Sequence, residues 1–134
     1  MVFGKTSLIK KVINIEGAPE ALGTYSQGII VGDLIFTSGQ IPLDPQTGNL
    51  ITGDIKAEIR QVLDNIDAVL MGGGSSLKSA VKLTVFVIDL DNFSAVNEVF
   101  AEYFPENPPA RSAIQISALP MGAQIEIEAV ATTE

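Results

Sequence analysis

Two amphipathic helices are the clearest elements that the pattern of apolar and polar positions predicts. The first begins behind Asp54, a good N-cap, and is expected to end at the glycines 72–74. Its apolar stripe comprises Ile55, Ile59, Val62, Leu63, Ile66, Val69 and Leu70. The second is capped by Asp91 or Asn92 and ends before Pro105, since proline cannot continue the hydrogen-bond ladder. Its apolar stripe comprises Phe93, Val96, Val99, Phe100, Tyr103 and Phe104.

Runs rich in β-branched residues predict six strands around these helices. Two of the strands form a hairpin over Gly32 and Asp33, whose order favours a type II′ turn. Residues 41–53 are rich in proline and glycine and are expected to form a loop. The strands are predicted over residues 12–15, 28–31, 34–38, 81–88, 111–116 and 123–132. The order β-β-β-α-β-α-β-β indicates an α+β fold, with one sheet and two helices over one of its faces.

Two of the predicted strands carry apolar side chains on both faces, at residues 81–88 and 113–116. A sheet that helices cover on one side needs only one apolar face. The second apolar face then has to be covered by something else, and a partner subunit is the usual answer. The pattern therefore predicts an oligomer.

The composition excludes most of the familiar catalytic sites. The 134 residues are enough for a single domain, and they include no His and no Cys. A Ser-His-Asp triad, a histidine base, a disulfide framework and a thiolate zinc site are therefore impossible. Any chemistry has to use carboxylates, Arg, Lys, Tyr, Ser or backbone groups.

The charge and the hydropathy pattern narrow the expected partners and location. Eight basic residues against sixteen acidic ones give a formal net charge of −8, which repels nucleic acids and anionic membranes. No stretch approaches the roughly 20 apolar residues of a membrane span, and the N-terminus lacks a continuous signal-peptide core. We therefore expect a cytoplasmic protein without nucleic-acid or membrane partners.

Arg111 and Glu126 are charged residues for which the sequence permits two interpretations each. Arg111 enters an apolar strand with no carboxylate within four residues. It either pairs with a distant acid or is held for an anionic ligand, which its planar fork can bind through two hydrogen bonds. Glu126 shares a strand face with Glu128. These two form a solvated stripe, or burial raises the pKa of Glu126 and suits it to proton transfer.

Several segments, in this order and spacing, resemble one family. Small, hydroxylic and amide residues group beside predicted strand ends at 23–28 and 37–42. The full set of matching segments is 18–19, 23–28, 37–42, 63–66, 82–87, Phe93 with 96–97, 109–112 and 125–129. Together they resemble the RidA (YjgF) family of enamine/imine deaminases. The resemblance predicts a single domain over residues 1–134. It covers nearly everything after about residue 10, and residues 1–10 look like an N-terminal extension.

The resemblance implies a fold like that of chorismate mutase, assembled as a homotrimer with sites in the clefts between neighbouring subunits. It implies hydrolysis of reactive 2-imino acids, such as 2-iminobutanoate and 2-iminopropanoate, to the 2-keto acid and ammonia. No metal or other cofactor is expected, which agrees with a chain that lacks His and Cys.

The resemblance also assigns roles to particular residues. Arg111 would bind the substrate carboxylate and Glu126 would activate water. The positions that match the family's pocket are Tyr25, Ser38, Gly39, Asn97 and Ala113. Two residues depart from the family pattern: Thr24 stands where proline is usual, and Ala113 stands where many members have a reactive cysteine.

Two other classes of function remain as alternatives. A non-catalytic trimer that binds small carboxylates, as a sensor or regulator, would need Arg111 but not Glu126. Ribonuclease activity or inhibition of translation, which has been attributed to members of this family, conflicts with the net charge of −8 and with a sequence that has no basic stripe.

Overall fold

A computed structural model describes residues 9–133, which form one mixed sheet and two α-helices. The predicted N-terminal extension, residues 1–10, lies almost wholly outside the described residues. The strands are β1 (Lys11–Ile13), β2 (Gly28–Val31), β3 (Leu34–Thr37), β4 (Ala80–Val87), β5 (Ala110–Gln115) and β6 (Ile125–Thr132). The helices are α1 (Ile55–Gly72) and α2 (Phe93–Tyr103). The predicted α+β class and element order are confirmed.

The sheet places the last strand in its middle. Its order is β1-β2-β3-β6-β4-β5, and every pair is antiparallel except β4 with β5. The helix α2 provides the crossover between the parallel strands β4 and β5. In the β2–β3 hairpin Gly32 has φ of +58° whereas Asp33 has no positive φ, which is the pattern of signs that a type II′ turn requires.

Both helices cover the same face of the sheet, as predicted. The alternate residues Leu83 and Val85 of β4 and Ile125 and Ile127 of β6 are fully buried against them. Salt bridges join α1 to α2 across the top of this layer, Lys56 to Glu98 and Arg60 to Glu102. No helix among the described residues is long and apolar enough to cross a membrane.

The helix ends agree with the sequence at α1 and differ at α2. The Asp54 carboxylate accepts hydrogen bonds from the amides of Lys56 and Ala57, and the chain leaves the helix through Gly73. Asn92, one of the two residues predicted to cap α2, occupies the N-cap position, but its side chain makes no cap hydrogen bond. A 3-10 turn precedes the helix, and the Asp89 carboxylate caps that turn by accepting from the Asp91 amide.

The strand predicted over residues 12–15 ends early, because a buried amide binds the backbone that follows it. The carboxamide of Gln27 accepts from the Ile15 amide at 2.7 Å and donates to the carbonyls of Ile15 and Pro19 at 3.0 and 2.9 Å. These bonds occupy the groups that a longer strand would pair. They also fix residues 15–19 beside β2, and Pro19 at the end of this segment lines a cavity described below.

The second face of the sheet is exposed and combines apolar side chains, as the sequence predicts, with the polar Thr84, Glu126 and Glu128. Phe36 of β3 and Ile114 of β5 lie on this face with 43% and 45% of their surfaces accessible. Phe86 of β4 lies between β6 and Ile114 and is half-buried. We call this surface the open face.

Asn65 provides a test of how the long loop 41–53 is fixed. Its buried carboxamide on α1 donates to the carbonyls of Ile41 and Leu43 at 3.2 and 2.9 Å. Asn65→Ala leaves both carbonyls without this donor, so we expect a loss of about 2–4 kcal/mol in the free energy of unfolding. A lower urea midpoint at unchanged slope would measure it. Ser94→Ala, at an exposed position of α2, is the control and should change stability by less than about 0.5 kcal/mol.

Candidate functional site

Glu126 lies half-buried in a cavity of about 220 Å³ at the edge of the open face. The strand β6 presents it on the side of the sheet away from the helices, because its neighbours Ile125 and Ile127 point into the core. The cavity walls are largely apolar and include Pro19, Leu22, Tyr25, Ile41, Leu43 and Met121. Glu126 is thus a carboxylate with mainly apolar surroundings.

A β-bulge brings the chain of β3 directly against this carboxylate. Phe36 pairs with Val130 and Gln40 pairs with Ile127, so three residues on one chain lie opposite two on the other. The Thr37 hydroxyl accepts a hydrogen bond from the Ala129 amide at 3.0 Å. This bond gives a partner to a backbone N–H that the bulge would otherwise leave unpaired.

The bulge places Gly39 so close to Glu126 that only glycine fits without movement. A Cβ added at Gly39 would lie 2.5 Å from Oε2 and 2.8 Å from Cδ of Glu126. The φ of Gly39 is not in the left-handed region, so the backbone itself does not demand glycine. The role of Gly39 at this position is therefore to leave space for the carboxylate.

The environment of Glu126 favours its neutral form more than water does. Burial raises the pKa of the Glu126 carboxyl, and the negative charge of Glu128 on the same face raises it further. Among residues 9–133 no side chain or amide donates a hydrogen bond to it. A carboxylate with a raised pKa and free oxygens can accept a proton from a bound molecule.

Arg111 lies in a second cavity of about 520 Å³ between β5 and α2. The cavity is lined by Asn97, Phe100, Ala101, Phe104, Pro108, Pro109 and Arg111. The guanidinium carbon lies 5.3 Å from the centroid of the Phe100 ring. Within the described residues Arg111 makes no ion pair, so the sequence-based interpretation as a partner of a distant acid has no support there. Its fork remains available to an anion.

The two cavities lie on opposite faces of the sheet. Arg111 is paired with Leu83, which points into the core beneath the helices, whereas Glu126 is paired with Phe86 on the open face. Residues that are paired across strands share a face. One chain therefore does not bring Arg111 and Glu126 together.

The other predicted pocket residues divide between these places. Tyr25 and Gly39 line the Glu126 cavity, and Asn97 lines the Arg111 cavity. The Ser38 hydroxyl lines neither of these two cavities and donates to the Ser26 carbonyl at 2.5 Å, which holds the segment next to Tyr25. Ala113 packs against the core beside Val85, on the terminal strand of the sheet.

Phe100 and Met121 are among the cavity-lining residues that sequence reasoning did not identify as site residues. Phe100 was predicted only as part of the apolar stripe of α2, and no local pattern shows that its ring meets a side chain eleven positions away. Met121 was predicted only as part of a connection between strands. It is 65% exposed at the Glu126 cavity, with φ of +58°, which is uncommon for a residue other than glycine or asparagine. The signal available in the sequence was an apolar residue between Pro120 and Gly122, in a segment expected to connect two strands.

Neither cavity contains the ligands of a metal site. Across the described part of the chain, no three His, Cys, Asp or Glu side chains come close enough to hold a metal ion. The polar side chains that line these cavities are the Arg111 guanidinium, the carboxylates of Glu20 and Glu126, the Tyr25 hydroxyl and the amides of Gln27, Gln40 and Asn97.

Comparisons with known proteins identify the family. Residues 15–133 match the family model described as endoribonuclease L-PSP. A RutC family protein of Pyrococcus horikoshii is 50% identical over 126 residues, which cover 94% of this chain and all of that protein. The human 2-iminobutanoate/2-iminopropanoate deaminase is 45% identical and is matched over 94% of this chain and 92% of its own length.

A solved structure gives the same result at the level of the fold. The crystal structure of the YjgF gene product of E. coli superposes with a TM-score of 0.88 at 42% identity, over 92% of this chain and 99% of that one. Similarity of this extent, in sequence and in fold together, is enough to assign the family. The chain belongs to the endoribonuclease L-PSP family, which includes the RidA and YjgF proteins.

Proposed function

We propose that the protein is an imine deaminase, which hydrolyses small 2-imino acids such as 2-iminobutanoate and 2-iminopropanoate to 2-keto acids and ammonia. The observation that carries this proposal is Glu126, a half-buried carboxylate with a raised pKa and no described hydrogen-bond donor, in a largely apolar cavity. A protein that only bound carboxylates would not need such a base. The name of the human relative supports the same reaction.

The two charged residues have complementary tasks in this reaction. Arg111 binds the substrate carboxylate through its fork, which orients the imine carbon for attack. Glu126 takes a proton from water as the water oxygen bonds to that carbon. Because the imine reacts in its protonated form, the same carboxyl then passes this proton to the neutral nitrogen of the intermediate. The C–N bond breaks as the hydroxyl proton returns to Glu126, and the keto acid and ammonia leave. Tyr25, Asn97 and the backbone near Gly39 and Ala113 form the remaining surface around the substrate.

We also propose that the site is shared between neighbouring subunits of a homotrimer. The separation of Arg111 and Glu126 on opposite faces of one sheet supports this, because neither cavity alone holds both groups. The exposed Phe36 and Ile114 of the open face supply apolar surface for such an assembly. In this arrangement the Arg111 cavity of one subunit adjoins the Glu126 cavity of the next.

The description of the family model also raises cleavage of RNA. The net charge of −8 opposes the attraction of a phosphate backbone, which dominates nucleic-acid affinity. Two of the eight basic residues, Lys56 and Arg60, are already paired with Glu98 and Glu102 on α2. Imine hydrolysis therefore fits the charge distribution better.

The direct test generates 2-iminobutanoate in situ with a threonine dehydratase and follows ammonia and 2-oxobutanoate. We expect the wild-type protein to accelerate the uncatalysed decay, and we expect Arg111→Ala and Glu126→Gln each to remove about 10²-fold or more of that acceleration. Ser94→Ala is the control. If the folded wild-type protein gives no acceleration but binds 2-oxobutanoate through Arg111, the deaminase proposal is wrong and the protein is a non-catalytic carboxylate-binding protein.

The pH dependence gives an independent prediction for Glu126. The residue acts as a base only when it is ionised, so kcat/KM should fall as the pH falls through its pKa. Because that pKa is raised, the decline begins at a higher pH than an ordinary glutamate would give. Glu128→Gln removes one cause of the increase, and the acid limb should move to lower pH.

The control for this shift is Glu98→Gln on α2, because Glu98 pairs with Lys56 on the helix layer. Profiles of kcat/KM between about pH 4 and pH 8 measure all three proteins on the same substrate, so titration of the imine itself cancels in the comparison. Equal acid limbs for wild type and Glu128→Gln would contradict the assignment of Glu126 as the base.

A further inference from the structure

We propose that Phe100 is a positioning residue for Arg111, which holds the guanidinium plane in place so that its edge faces the substrate carboxylate. This inference rests on the proposed function and assigns a role in it to a residue of the α2 core. The guanidinium carbon lies 5.3 Å from the centroid of the Phe100 ring, within the range of a cation–π contact.

An arginine that awaits a ligand needs something to hold it. Arg111 is exposed and, among the residues that the structure describes, it has neither an ion pair nor a side-chain hydrogen bond. A long side chain in this condition populates many rotamers and loses that freedom when it binds an anion. A fixed aromatic face reduces the loss, because it favours one orientation before the ligand arrives.

Phe100 is itself held firmly enough to do this. Its surface is 8% exposed, and its ring packs against Phe104 with centroids 5.5 Å apart at an angle of 59°. Both rings line the cavity that Arg111 enters. The position of the ring is therefore set by the core of the domain and not by the ligand.

The contact also leaves the useful part of the guanidinium free. An aromatic face attracts the positive charge without using an N–H group, whereas a carboxylate partner would occupy the fork. Removal of water from one side of the guanidinium strengthens its hydrogen bonds to an anion on the other side. Phe100 can thus fix Arg111 without competing with the substrate.

The test separates substrate binding from chemistry. Phe100→Leu retains an apolar side chain and loses the ring, so we expect KM for the imine and Kd for 2-oxobutanoate, measured by calorimetry, to increase about 3- to 30-fold. The value of kcat should change by less than about 3-fold, since Glu126 is not disturbed. Phe100→Tyr keeps the aromatic face, so its KM and Kd should stay near those of the wild type.

Phe93→Leu is the matched control, because it makes the same change at a ring of α2 that packs against the core, does not line the Arg111 cavity and does not lie over the guanidinium. It should leave KM and Kd near the wild-type values. A trifluorinated phenylalanine at position 100 keeps the shape and the packing and withdraws charge from the ring face. The fluorinated protein therefore tests the contact even if Phe100→Leu does not fold. We expect its KM and Kd to be raised as well.

The possible failures are distinguishable. If wild type does not accelerate imine hydrolysis, the proposed function fails, while the binding of 2-oxobutanoate by the same variants still decides the role of Phe100. Unchanged KM and Kd in both Phe100→Leu and the fluorinated protein would overturn the inference. Equal losses in Phe100→Leu and Phe93→Leu would also overturn it, because general packing of α2 would then explain the effect.

Discussion

Oligomers assembled at random from equal amounts of Arg111→Ala and Glu126→Gln chains are expected to recover about one quarter of the wild-type activity per chain, although each variant alone is inactive. The reason is the position of the two residues on opposite faces of the sheet. If each site takes Arg111 from one subunit and Glu126 from its neighbour, some sites in mixed rings receive both intact groups. In a closed ring of random composition this happens at about one site in four.

A second mixture makes the result decisive. Wild-type chains mixed with the double variant Arg111→Ala/Glu126→Gln should also give about one quarter of the activity if sites are shared, but about one half if each chain holds a whole site. Refolding from denaturant or co-expression of tagged chains produces both mixtures, and steady-state release of ammonia measures them. No recovery in the first mixture, with about one half in the second, would contradict the shared site.

Gly39→Ala should reduce kcat by about 10²-fold while the protein stays folded. The added methyl would lie 2.5 Å from Oε2 of Glu126, and the carboxylate is the flexible end of a side chain that can move away at little cost. The backbone conformation of Gly39 suits alanine, so no strain arises there. Displacement of the base by about 1 Å is enough for a loss of this size.

Gly28→Ala is the matched control, because it makes the same change at a glycine packed in the core. Its Cβ would lie 2.8 Å from Val69 and 3.2 Å from the Phe36 carbonyl. Here we expect a lower urea midpoint and, in the folded fraction, a nearly normal kcat. Kinetics and denaturation of the two variants should therefore give opposite patterns. A Gly39→Ala protein with wild-type kcat would show that the position of the Glu126 carboxylate does not limit the reaction.

The sequence by itself determined the elements of the fold. The spacing of apolar residues from Ile55 to Leu70 and from Phe93 to Phe104 placed both helices, because helical periodicity depends only on neighbours three and four positions apart. The alternation around Glu126 placed this residue on a face with Glu128 for the same kind of reason. The Gly32-Asp33 pair predicted the hairpin, and the order of the predicted helices and strands indicated the class of fold.

Only the tertiary structure decided how distant segments meet. It placed β6 between β3 and β4, and the register of β4 with β5 and β6 put Arg111 and Glu126 on opposite faces. It set Gly39 against Glu126 across a bulge and the Phe100 ring under Arg111. These contacts depend on the register and pairing of segments remote along the chain. The pairing is selected by the packing of the whole core, and no local pattern in the sequence encodes it.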